Sequence, residues 1–140
     1  MIIPAYNEEK NIKNTVDSIK EYAIKCSEYD VDYLVINDGS KDSTADACKE
    51  NGIKCINLIQ NLGIGGEVQT GYIYAKLKKY DIAVQFDGDG QHDIESLGQL
   101  LMPISSGCAD FVICSRFIEG TSDFKSTLMR RIGIKYLSRL

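Results

Sequence analysis

At 140 residues, with 44% apolar and 26% charged residues, the chain has the size and make-up of one globular domain with a real core. Its net charge of −4 argues against a nucleic-acid binder, nothing in the sequence resembles a signal peptide, and no apolar run is long enough to span a bilayer. Five cysteines without Cys-x-x-Cys spacing argue against a disulfide framework or zinc site, and predict reduced cytoplasmic thiols that serve mostly as small core residues.

Strand and helix patterns alternate, which predicts an α/β fold with a mostly parallel sheet flanked by helices. Ile2-Ile3 ends the first strand and Pro4 closes it. A helix is predicted over 8–26, because Ile12, Val16, Ile19 and Ala23 fall on one face. Asn7 is its expected N-cap. The second strand is 31–36, followed by the turn Asn37-Asp38-Gly39-Ser40. A short helix over 43–50 is capped by Asp42 and stopped by Asn51-Gly52. The third strand is 53–57. A glycine-rich loop over 61–66 leads into a helix over 67–79. The fourth strand is 82–86. A helix over 94–104 follows, with Asp93 as cap and Pro103 marking its end. The fifth strand is 111–114, then a polar segment over 115–124 and a last helix from 126. The first strand has no lead-in and the last helix no stop signal, so the chain reads as a fragment of a longer protein. Any membrane contact is then peripheral or made by other segments.

The acidic stretch Asp87-Gly88-Asp89-Gly90-Gln91-His92-Asp93 follows the apolar run of the fourth strand. Two carboxylates one residue apart at a strand's C-terminal end need charged partners or a metal. Their glycines allow a sharp turn and close approach of a ligand. Oxygen donors at this edge suggest Mg or Mn shared with substrate phosphates. The competing reading is a solvated strand-to-helix turn. A calcium loop is excluded, since the positions that need Gly and Glu hold His92 and Gly98.

Parallel topology brings three polar strand ends to one sheet edge: Pro4-Ala5-Tyr6-Asn7-Glu8, Asn37-Asp38-Gly39-Ser40 and the acidic stretch. Asp38 is placed to accept hydrogen bonds from a base or ribose, or to close an ordinary Asx turn. Gly63-Ile64-Gly65-Gly66 does not fit the dinucleotide fingerprint and lacks the Lys-Ser/Thr of a phosphate loop. It reads as a flexible turn bringing a helix N-terminus to the ligand edge. His92, the one histidine, is read as a turn-ordering residue in preference to a base.

Five motifs occur in order: Ile2-Ile3-Pro4-Ala5-Tyr6-Asn7-Glu8-Glu9, Val35-Ile36-Asn37-Asp38-Gly39-Ser40, Asn61-Leu62-Gly63, the acidic stretch, and Ser115-Arg116-Phe117. Together they resemble the family 2 glycosyltransferases of GT-A (Rossmann-like) fold across nearly the whole chain. The acidic stretch and Ser-Arg-Phe are most similar to the dolichyl-phosphate mannose synthase-like and undecaprenyl-phosphate sugar transferases.

The resemblance implies a catalytic domain over 1–140 that moves a sugar from a nucleotide-diphospho-sugar to a polyprenyl phosphate, with inversion. It implies nucleotide contacts from Pro4, Ala5, Tyr6, Glu8, Asp38, Gly65, Asp87 and Gly88. Asp89 would be the main metal ligand, with Gln91 and Asp87 beside it. Asp87, Asp89 and Arg116 would be the catalytic set. Arg116 would meet the acceptor phosphate, with Arg130 or Arg131 as a second clamp. The resemblance places such a protein at the cytoplasmic face of a membrane and leaves a homo-oligomer open. Two other readings stand beside it: transfer to a sugar hydroxyl of a wall or capsule polysaccharide, and an inactive nucleotide-binding regulatory fragment.

Overall fold

The structure is a computed structural model and describes residues 1–87 and 94–114. The chain divides into two compact units, Met1–Leu97 and Gly98–Leu140. In the first, three strands form a parallel sheet in the order β1 (Ile2–Ala5), β2 (Leu34–Asn37), β3 (Cys55–Asn57). Ile3 pairs with Val35, and Ile36 with Ile56. Both faces of β1 and β2 are buried, which is why they read as unbroken apolar runs instead of alternating ones. Helices α1 (Ile12–Lys25), α2 (Thr44–Glu50) and α3 (Gly63–Lys78) supply the connections.

The larger core cluster holds Ile3, Ile12, Val16, Ile19, Val35, Cys48, Ile53 and Phe86. Of the four α1 residues that the helical spacing predicts, Ile12, Val16 and Ile19 are fully buried, whereas Ala23, nearer the helix end, is only half-buried. A second cluster gathers Ile2, Leu34 and Ile36, with Ile56, Leu58 and Tyr74 beside it. Gly71 of α3 lies directly over Ile2, where an added Cβ would come within 2.3 Å of the Ile2 Cγ2. A residue without a side chain is what lets α3 come this close to β1.

Several expectations are corrected. α1 begins at Ile12 and not at 8, because the Glu8 carbonyl accepts the Asn11 and Ile12 N–H groups in a preceding turn. Asn7 is not the cap: it adopts a left-handed conformation (φ 59°) and bonds elsewhere. β2 is shifted to Leu34–Asn37, and β3 is shorter than expected. α3 starts at Gly63, so the glycines of the expected loop form its first turn. Residues 82–86 do lie parallel to β1 on its free side, through Ile2 N–H to the Val84 carbonyl (2.7 Å) and Phe86 N–H to the Ile2 carbonyl (2.9 Å). Their pairing is a single bridge, Ile2 to Gln85, and not a full strand.

The expected helix over 94–104 becomes a 3-10 turn, Ile94–Ser96, continued by α4 (Leu97–Ser105), which runs past Pro103. Residues 111–114 form no strand, and Phe111 and Ile113 are exposed. Only Cys48 among the cysteines is fully buried; Cys26 and Cys55 are half-buried, and Cys108 and Cys114 are exposed. The Asp93 cap, the polar segment from 115 and the last helix lie outside the described residues.

Candidate functional site

The C-terminal edge of the sheet opens into a cleft of about 330 Å³. Pro4, Tyr6, Glu8, Asp38, Asn61, Glu67 and Asp87 are among the residues lining it. Residues following β1, β2 and the 82–86 segment therefore do meet at one place, as parallel topology requires.

One wall is tied together across a long stretch of sequence. The Asn7 N–H donates to Ser40 Oγ (3.0 Å), and Asn7 Oδ1 accepts the Lys41 N–H (2.9 Å). The Glu8 N–H donates to Thr44 Oγ1 (2.9 Å). The Glu9 N–H donates to Asp42 Oδ2 (3.2 Å), and Glu9 Oε2 accepts the Ser43 N–H (3.0 Å). Asp42 Oδ1 also accepts the Thr44 N–H (3.0 Å) and the Thr44 hydroxyl (2.5 Å), so the predicted cap of α2 acts from one position further out. Burial works against the charged form of Asp42, but these bonds outweigh it and hold its pKa below the ordinary carboxylate value.

The opposite wall is built from acids. Asp38 is fully buried, not an exposed turn residue. Its two oxygens accept the N–H groups of Leu62 and Gly63, each at 2.7 Å. These are orphan donors at the start of α3, and a carboxylate there also meets the positive end of the helix dipole. A helix opening on three glycines in four residues is thus started by an acid from another element. Gly39 makes the approach possible: its φ is +63°, and a Cβ on it would lie 3.0 Å from the backbone of Gln60 and Asn61. Asn37 braces the same corner, donating from Nδ2 to Asn57 Oδ1 (2.7 Å) and accepting the Ser40 hydroxyl (2.5 Å).

Glu67 is the residue that sequence reasoning missed. It lies on the face of α3 that holds Gly71 and Ala75, four and eight residues on, and is only 4% exposed. Burial raises its pKa to about 7, helped by the negative charge of Asp38, a hydrogen bond to Asp38 and the charge of Asp87. Near neutral pH, Glu67 therefore holds a proton for part of the time and can donate it to Asp38. The signal for this was the spacing: a Glu in a buried stripe of small residues.

The structure places the other expected residues unevenly. Pro4, Tyr6, Glu8, Asp38 and Asp87 share the cleft. Ala5 is buried in β1, where its carbonyl accepts the Asp38 N–H (3.0 Å). Gly65 lines an adjoining apolar groove of about 500 Å³, which shares Ile64 with the cleft. Gln85 donates to Asp87 Oδ1 at 3.1 Å. Gly88, Asp89, Gln91, His92, Arg116, Arg130 and Arg131 lie outside the described residues.

Among the described residues that line the cleft, four are acids and none is basic. An oxygen-only, negative donor set suits a hard divalent cation. No three metal-binding side chains converge as a finished cage among the described residues. Asp87 is accordingly the only one of the three expected ligands that the described cleft contains.

The whole chain, residues 1–140, matches the model for glycosyl transferase family 2. The chain belongs to that family. A UDP-N-acetylglucosamine–dolichyl-phosphate N-acetylglucosaminyltransferase of Methanococcus voltae is 35% identical over 95% of this chain and 57% of its own length. An undecaprenyl-phosphate mannosyltransferase of Micrococcus luteus is 32% identical over 85% of the chain and 48% of its own length. The chain thus spans about half the length of these curated relatives. Glucosyl-3-phosphoglycerate synthase of Mycobacterium tuberculosis, solved with manganese and UDP-glucose, superposes with a TM-score of 0.52 at 22% identity, over 75% of this chain and 38% of that one. At that identity the likeness establishes the shared GT-A fold.

Proposed function

We propose that this family 2 domain binds a nucleotide-diphospho-sugar in the acidic cleft and transfers the sugar, with inversion, to a polyprenyl phosphate. The observation that carries the reading is the meeting of Tyr6, Glu8, Asp38 and Asp87 at the sheet's C-terminal edge. The named relatives support the acceptor class, since their names specify dolichyl and undecaprenyl phosphates.

Tyr6 and Glu8 form the side of the cleft suited to the base and ribose, held by the ties to Ser40, Lys41 and Thr44. Asp38 acts through the backbone, fixing the start of α3 against the cleft. Asp87, with Asp89 and Gln91, would hold Mg or Mn. That cation would offset the charge that builds on the leaving diphosphate. The acceptor's phosphate oxygen, with a second pKa of about 6, is mostly ionised near neutral pH and needs little help from a base. Arg116, with Arg130 or Arg131, would bring that anion beside the anionic donor. Among the described residues no helix is long and apolar enough to cross a membrane, so the described part would meet a lipid acceptor from the membrane surface.

Calorimetry with UDP, GDP and their sugars, with and without Mn, tests the donor half. Metal-dependent binding is expected, and no binding of any nucleotide overturns the reading. Transfer assays on the full-length protein test the acceptor half. Preference for a sugar hydroxyl over polyprenyl phosphate would overturn the acceptor and leave the donor site standing.

A further inference from the structure

Two helices of the domain distribute their apolar residues in opposite ways. α1 follows the ordinary pattern of a surface helix: Ile12, Val16 and Ile19 are buried, while Lys13 and Glu21 face solvent. In α3 the buried residues are Glu67, Gly71 and Ala75, whereas Ile64, Tyr72, Ile73 and Leu77 are exposed. Ile73 is 53% and Leu77 75% exposed, and the two stand one turn apart on the same side. The close approach of Gly71 to Ile2 accounts for the small side chains beneath the helix. It does not account for the large apolar ones outside. Seven of the twelve large hydrophobic side chains exposed among the described residues fall within 59–80, so they are concentrated here and not scattered as on an ordinary surface.

The charge on this stretch is one-sided as well. In a chain whose net charge is −4, residues 51–80 contain four lysines and a single acid, and that acid is the buried Glu67. Lys54 is held by Asp32. Lys76, Lys78 and Lys79 are exposed at the C-terminal end of α3, and among the described residues none of them is in an ion pair. Lys78 lies over Tyr74, 5.9 Å from the ring centre. Lys76 follows Tyr72 by one turn, so basic and aromatic side chains flank Ile73 and Leu77. The nearest acid along the chain is Asp81, past the end of the helix.

We propose that the outward face of α3 is the surface by which this domain lies on an anionic lipid membrane. Ile73 and Leu77 enter the boundary between headgroups and acyl chains, and the Tyr72 ring sits at headgroup level. Lys76, Lys78 and Lys79 reach lipid phosphates while their stems stay in apolar contact. An apolar face rimmed by lysines and free of exposed acids complements such a surface in both hydrophobicity and charge. No helix among the described residues is long and apolar enough to cross a membrane, so α3 lies on the lipid and does not enter it end-on. The same face continues into the apolar groove beside the cleft, which Tyr72, Ile73 and Lys76 also line. Docking through α3 therefore brings the groove, and through Ile64 the rim of the cleft, close to the lipid surface. The proposal goes beyond the acceptor reading, because it rests on the face of α3 and holds whatever acceptor the cleft takes.

The chain has no tryptophan, so one placed on this face is a unique reporter. In the full chain, Leu77→Trp emission should shift to the blue when phosphatidylglycerol vesicles are added, and lipid brominated in its acyl chains should quench it. Ile24→Trp, at a likewise exposed site on α1, should do neither. The vesicles hold no polyprenyl phosphate and the assay no nucleotide, so failure of the proposed transfer reaction leaves this result untouched. Cosedimentation with the same vesicles should weaken about fivefold for each lysine changed to glutamine, and on the order of a hundredfold when Lys76, Lys78 and Lys79 are all changed. Leu77→Ser should weaken it roughly tenfold. Added salt, or vesicles of phosphatidylcholine alone, should also reduce binding. The inference is overturned if the chain does not sediment with anionic vesicles, if both tryptophans respond alike or only Ile24→Trp responds, or if the triple glutamine variant binds as tightly as the original. It is equally overturned if Leu77→Trp is blue-shifted before lipid is added and unchanged after, since protein then covers the face; loss of that shift on dilution would identify the cover as a second copy.

Discussion

The two walls of the cleft are built on opposite principles. The wall formed by residues 6–9 and 40–44 is a mesh of backbone N–H groups answered by side-chain oxygens, much of it at the solvent edge. The wall formed by Asp38, Glu67 and Asp87 puts carboxyl groups close together, two of them buried. The mesh has many weak members, so it tolerates loss of any one. The acidic wall has few members, each in an environment that penalises an unpaired charge or an unanswered donor. Acids in one cleft therefore need not share one role: Asp38 answers the first N–H groups of α3, and Asp87 is the member proposed to serve a ligand.

The largest effect should come from breaking the acidic wall at its base. Asp38→Ala leaves the Leu62 and Gly63 N–H groups without acceptors in a buried place and exposes the glycine start of α3. A loss of about 3–5 kcal/mol in urea unfolding is expected, with Asp38→Asn costing less. A loss under about 1 kcal/mol would make Asp38 a ligand residue and not scaffold.

Glu67 should give the next effect, and it has a definite sign. Its pKa rises from an ordinary 4.5 to about 7 on folding, so between those values the folded chain binds more protons than the unfolded one. Stability should therefore be greatest below the lower value and fall as pH rises toward 7, by on the order of 3 kcal/mol from this group. Glu67→Gln keeps the shape and the donor, and should flatten the slope. Unfolding curves at pH 4.5, 6 and 7.5 for both proteins decide this; parallel curves would remove Glu67 from the wall's charge balance.

These two residues show how far the sequence could be read. Apolar runs located β1 and β2 because both their faces are buried, and the three buried α1 residues because their spacing is helical. Pro4, Tyr6, Glu8, Asp38 and Asp87 were legible as a group because parallel strands force their ends to one edge. What was not legible depends on contacts between distant segments. Asp38 starting α3, and Asn7 bonding to Lys41 in place of capping α1, are both of this kind. Residues 111–114 have a strand's composition, but pairing decides strands, and among the described residues they have no strand partner.

A smaller effect is expected at the ligand end of the acidic wall. Asp87→Ala should weaken Mn-dependent nucleoside-diphosphate binding about tenfold or more, roughly 1.4 kcal/mol, with little change in folding. Equal affinity in calorimetry with and without the carboxylate would transfer the metal role wholly to other residues. The smallest effect belongs to the mesh. Thr44→Val removes the acceptor of the Glu8 N–H and should cost about 1 kcal/mol in stability. A much larger cost would show that the mesh is as brittle as its neighbour.

The ties of that mesh join residues 33 to 36 positions apart in sequence. Each therefore closes a long loop whose entropy is repaid only after β1 and β2 have paired. The mouth of the cleft is consequently a late product of folding, completed after the core beneath it. Once formed, the Glu8 amide should exchange its hydrogen at a rate set by opening of the paired strands and not by local fraying. A ligand entering this cleft would meet one wall whose ordering cost has been met before it arrives.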